Sequence, residues 1–135
     1  MSNMFKPTYS VAMKPNNLVW KVLAVIYVSV FTLIIVLAYN HALPEYLTQN
    51  DKAGHIFLYG LATFLGQMAG KRRTFKLANW KLPLFPFVFS IFTLIEELCQ
   101  SLSPNRTFDI GDLVASCIGI LIGYGLAEIG KPSSE

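Results

Sequence analysis

The sequence predicts an all-α, polytopic membrane protein of four transmembrane helices with both termini in the cytoplasm. Three observations predict it. The 135 residues are 53% hydrophobic and only 14% charged, against about 25% charged in an ordinary soluble domain. The mean hydropathy is +0.47. The apolar residues are gathered into four runs, and a helix needs about 20 mostly apolar residues to cross the hydrocarbon core.

The first run, Val22 to Tyr39, carries no charge and is flanked by Trp20 and Tyr39 as interfacial aromatics. It exceeds the apolar core of a signal peptide, and no small-x-small cleavage site follows it, so it is expected to stay as a helix. The second run, Ala53 to Gly70, contains one titratable residue, His55. The third, Leu82 to about Leu102, holds Glu96 and Glu97 near its end. The fourth, Ile110 to Ile129, holds Asp112 near its start and Glu128 near its finish. Residues 40–52 are polar with a proline, 71–81 form a strongly basic connection, and 103–109 make a tight turn. The organisation expected is a cytoplasmic tail over 1–16, one membrane domain over 17–129 and a second cytoplasmic tail over 130–135.

Charge sets the orientation. With the N-terminus inside, Lys6, Lys14, Lys21, Lys71, Arg72, Arg73, Lys76, Lys81 and Lys131 are cytoplasmic, and only Lys52 and Arg106 lie outside. The net charge of +3 is therefore a topology signal, and no nucleic-acid partner is expected. Cys99 and Cys117 form no disulfide framework and read as buried small residues. In the fourth helix Gly111, Ala115, Gly119, Gly123 and Ala127 recur every four residues, a ridge that lets another helix approach closely. Ala62, Gly66 and Gly70 make a shorter one on the second helix. Sequence leaves open whether the longer ridge packs within the chain or makes an oligomer.

Polar residues are costly in hydrocarbon and mark functional candidates. They gather at the outer side. Asp51, His55 and Tyr59 share one face of the second helix. Thr93, Glu97 and Gln100 share a face of the third, and Asp109, Asp112 and Ser116 a face of the fourth. Asp51 and Asp109 also suit helix N-termini. Glu96 and Glu97 sit about one turn inside their run, so at least one needs a partner, with Arg106, Lys52 and His55 as candidates. Glu97 is favoured because it shares a face with Gln100. The expected binding set is Asp51, Lys52, His55, Tyr59, Glu97, Gln100, Arg106, Asp109, Asp112 and Ser116, with His55 and Glu97 as acid–base candidates. Lys52, Arg106 and two helix N-termini could hold an anion. No HExxH, GxSxG or P-loop is present, and neither metal nor cofactor is expected. Transport fits less well, because the cytoplasmic half shows almost no polar residues.

Three ordered elements carry a resemblance: Asp51-Lys52-Ala-Gly-His55 with Tyr59, then Glu97-Leu-Cys-Gln100, then Arg106-Thr-Phe-Asp109-Ile-Gly-Asp112 ahead of the glycine-rich Gly119-Ile-Leu-Ile-Gly123. Over residues 40–125 the chain resembles the VanZ-like family of small bacterial membrane proteins, named after a teicoplanin-resistance accessory factor. Ser116 stands where the family usually has asparagine. The resemblance implies a multi-pass protein of the bacterial cytoplasmic membrane acting at the cell envelope. It implies no defined reaction, and no activity on D-Ala-D-Ala. Two functions are expected from the outer polar cluster. One is an envelope factor that binds a lipid headgroup, a lipid-linked cell-wall precursor or another membrane protein. The other is an embedded enzyme acting on a lipid phosphate or glycolipid.

Overall fold

The computed structural model describes residues 17–40, 42–45, 49, 51–104 and 109–130. Both polar tails and Arg106 lie outside the described residues. Four helices are present among them: α1 (Asn17–Tyr39), α2 (Asp51–Ala69), α3 (Leu84–Gln100) and α4 (Ile110–Ile129). Two of these, α1 and α4, are long and apolar enough to cross a membrane.

The all-α expectation needs one correction. Between α2 and α3 the basic connection folds into a β-hairpin, β1 (Thr74–Leu77) against β2 (Trp80–Pro83). Its antiparallel register pairs Thr74 with Pro83, Phe75 with Leu82, Lys76 with Lys81 and Leu77 with Trp80. The physical cause is local. Lys71 and Arg72 take left-handed φ of 56° and 52°, which stops α2 and reverses the chain. TFKL and WKLP then alternate apolar and polar residues with the period of a strand. Ala78, at φ 54°, opens the two-residue turn. The hairpin takes Leu82 and Pro83, so α3 starts at Leu84 and not at Leu82.

The tightest packing is between α2 and α4, and the small-residue ridge makes it. A Cβ on Gly119 would lie 2.5 Å from the Ile56 carbonyl oxygen, and one on Gly123 would overlap the Gly60 carbonyl. Ala115 and Ala127 are buried in the same seam. The ridge is thus covered by α2 within the chain. α1 leans on α2 and α3 through aromatic rings: Phe31 meets Tyr59 edge-on at 5.3 Å and Phe89 at 6.4 Å. The Tyr27 hydroxyl donates to the Leu58 carbonyl.

Burial is inverted relative to a water-soluble protein. The largest fully buried side chains are Gln67, Gln100, Glu97, Thr63, Thr93 and Ser116, all polar, whereas many leucines, valines and isoleucines of α1, α3 and α4 are exposed, as is Phe57 of α2. Cys99 and Cys117 are also exposed on the outer helix surfaces, contrary to the expectation that they are packed inside. The small residues of the seam are glycine and alanine, and Cys117, two residues from both Ala115 and Gly119, falls on the other side of α4.

Candidate functional site

The i, i+4 stripe on α2 places Asp51, His55 and Tyr59 above one another, and α4 faces that stripe. His55 Nδ1 lies 2.9 Å from the Ser116 Oγ, and His55 Nε2 lies 3.5 Å from Asp51 Oδ1. The imidazole also stacks on the Tyr59 ring at 5.6 Å, with 9° between the planes. Three contacts therefore fix its position. The order Ser116, His55, Asp51 invites comparison with a nucleophilic triad. Ser116, however, has no exposed surface and does not line the cavity described below. Its role is to orient the ring.

Asp112 completes this first group. One ligand atom each from Asp51, His55 and Asp112 lie within 4.8 Å of one another. One nitrogen and two carboxylate oxygens are suitable donors for a divalent cation. Lys52 stands beside them as an alternative counter-charge, 3.8 Å from Asp112 Oδ1 and 3.5 Å from Asp109 Oδ2. Asp109 caps α4, its Oδ1 accepting from the Gly111 N–H at 2.7 Å. That backbone hydrogen bond, helped by the Lys52 ammonium, holds the Asp109 carboxyl below the usual carboxylate range.

A second group is built on α3. Gln100 Nε2 donates to Glu96 Oε1 at 2.6 Å. The hydroxyls of Tyr59 and Tyr39 approach the two Glu96 oxygens, each at 3.4 Å. Glu96 is thus the carboxylate that meets Gln100, because 96 and 100 are one helical turn apart. Glu97, favoured from sequence, has 0% exposed surface. His55 makes its contacts with Asp51, Ser116 and Tyr59.

The two groups meet at a cavity of about 250 Å³ between α1, α2 and α3. Asp51, His55, Tyr59, Glu96 and Gln100 line one part of it; Phe31, Ile34, Ile35, Phe57 and Leu58 line much of the rest. Gln100 is only 2% exposed, and its Oε1 has no hydrogen-bond partner among the described residues. An orphaned acceptor of this kind is costly unless a donor arrives.

Sequence reasoning missed Glu96 as the cavity carboxylate and Tyr39 as its neighbour. It also missed the continuation of the α2 stripe. Thr63 and Gln67 follow Tyr59 at the same spacing and are buried, and Gln67 Nε2 reaches Glu128 Oε1 at 3.5 Å. The half of α2 that leads to the hairpin is therefore more polar than expected. The Thr63 hydroxyl donates back to the Tyr59 carbonyl at 2.8 Å.

Neither a curated protein nor a solved structure matches this chain. A family model described as VanZ/LLP1 matches residues 3–131. That span is nearly the whole sequence and includes every residue of both polar groups, so the chain belongs to the VanZ/LLP1 family.

Proposed function

We propose that the protein spans the bacterial cytoplasmic membrane four times, with both termini inside, and binds the polar end of an envelope lipid or lipid-linked precursor in the cavity between α1, α2 and α3. Family membership and the inverted burial support the bilayer setting. In lipid, polar side chains gain by turning inward and apolar ones lose nothing by facing out.

The cavity's two-sided lining carries the functional reading. An amphiphile would place its headgroup against Asp51, His55, Tyr59, Glu96 and Gln100 and its chain against Phe31, Ile34 and Ile35. The chemistry of the polar wall narrows the headgroup. It offers carboxylates, an orphaned amide oxygen and no lysine or arginine among the described residues. Lys52 is turned toward Asp109 and Asp112. The complement of these acceptors is a headgroup rich in donors, hydroxyls or an ammonium. A sugar-bearing lipid precursor fits this description. Loss of such a factor would then alter susceptibility to glycopeptides that act on the same precursors.

The test is binding of a panel of lipids to the purified protein by native mass spectrometry. Hydroxyl-rich and amine-bearing headgroups are expected to bind in preference to phosphatidic acid. Glu96→Gln should weaken that binding by about tenfold or more, since a hydrogen bond to a charged group contributes roughly 1.5–3 kcal/mol. Equal retention of all headgroups, or unchanged binding by the variant, would refute the reading.

A second reading, catalysis on such a lipid, rests on His55, which lines the cavity with Asp51 and Ser116 fixing its ring. It differs in one outcome: His55→Gln would abolish product formation while binding persists.

A further inference from the structure

The β-hairpin has a chemistry of its own, remote from the cavity. Residues 71–83 contain five bases, Lys71, Arg72, Arg73, Lys76 and Lys81, and no acid. Arg72 is committed, its Nε donating to the Ala127 carbonyl at the end of α4 at 2.9 Å. The others are exposed. Side chains alternate across a strand, so the register puts Phe75, Leu77, Trp80 and Leu82 on one face and Thr74, Lys76, Lys81 and Pro83 on the other.

Two details call for a ligand. Lys76 and Lys81 are direct cross-strand partners, and like charges opposite one another destabilise a hairpin unless an anion offsets them. On the other face Trp80 and Leu77 are 73% and 52% exposed, a high cost in water for a large aromatic and a leucine. The hairpin is also held in place. Phe75 packs on Phe87 of α3 with ring centroids 5.0 Å apart, and Leu84 N–H donates to the Arg73 carbonyl at 2.9 Å. It joins the end of α2 to the start of α3, and in the four-span topology proposed above that is the level where both helices leave the hydrocarbon.

We infer that the hairpin is a binding site for anionic phospholipids, with Lys76 and Lys81 taking headgroup phosphates while Trp80 and Leu77 enter the acyl-chain boundary. Tryptophan favours that boundary, and a basic residue near an anionic leaflet gains about fivefold in binding. The inference rests on the bilayer setting and is independent of what the cavity binds.

The chain has two tryptophans, so Trp20→Phe leaves Trp80 as the sole indole. That protein is reconstituted into vesicles containing brominated phosphatidylglycerol or brominated phosphatidylcholine, and quenching of its fluorescence is measured. Quenching by the anionic lipid should exceed that by the zwitterionic lipid severalfold. The excess should shrink in high salt and fall toward unity in Lys76→Gln/Lys81→Gln. Equal quenching by both lipids overturns the inference, as does an excess that the double variant and salt leave unchanged. Absence of quenching by either lipid also overturns it, because Trp80 would then lie outside the bilayer. The salt series needs no change at the lysines, so it decides even if the double variant misfolds.

Discussion

His55 shows how individual residues divide the work. Its neighbours on α2 are set by helical spacing alone, so the Asp51, His55, Tyr59 stack was legible in the sequence. Its contact with Ser116 depends on how α2 and α4 face each other, which spacing within one helix cannot give. The same limit explains why Glu96 was missed as a cavity carboxylate. Both Glu96 and Glu97 can lie near Gln100, at i+3 and i+4, and it is the approach of the Tyr39 and Tyr59 hydroxyls that marks Glu96. Asp109 was legible as a cap because an aspartate directly precedes the fourth apolar run. Its pKa is depressed in the folded protein, so the cap's stabilisation is present above the ordinary carboxylate value of about 3.9. It is lost as pH falls through the lower folded value. Amide hydrogen exchange at the first turn of α4 should therefore rise in acid beyond the intrinsic trend. In Asp109→Asn, which keeps an acceptor and cannot titrate, that additional rise should disappear. An identical acid response in both proteins would show that the cap does not titrate there.

Among the elements, the α4 ridge was readable because a four-residue repeat of glycine and alanine survives in any surrounding. Sequence could not say what fills it, and the structure answers with α2. The Gly60, Gly119 and Gly123 backbones approach too closely for added side chains. Gly119→Ala and Gly123→Ala should each destabilise the protein by roughly 1–3 kcal/mol, the range for overpacking. A Cβ added at Gly125 would meet nothing within 4 Å. Gly125→Ala should be neutral or stabilise by up to about 1 kcal/mol through helix propensity. Unfolding by sodium dodecyl sulfate, followed by circular dichroism, separates these; equal effects at positions 123 and 125 would contradict the seam. The hairpin was the least legible element. Its five bases mark the segment as a loop, and that signal hides the short alternation of TFKL and WKLP. The α2 stripe was only half read, because Thr63 and Gln67 are uncharged and disappear into an apolar run.

For the whole molecule, composition alone pointed to lipid as the solvent, and the fold accounts for where each kind of residue goes. Interior positions collect Gln, Glu, Thr and Ser around the cavity and the α2 stripe. The outer surface collects Leu, Val and Ile. Reading burial from hydrophobicity therefore fails in this chain, and the two cysteines illustrate it: apolar neighbours suggested the core, whereas both thiols face outward.

That outward placement supplies the most direct measurement of the central claim, that the apolar surface is covered by lipid. Cys117 lies well inside α4 and is exposed on its surface. In native membranes it should resist a charged, water-soluble maleimide over the time that labels it fully after unfolding in sodium dodecyl sulfate. A charged reagent is excluded from hydrocarbon. Rapid labelling of Cys117 in the native protein would place that surface in water and contradict the account.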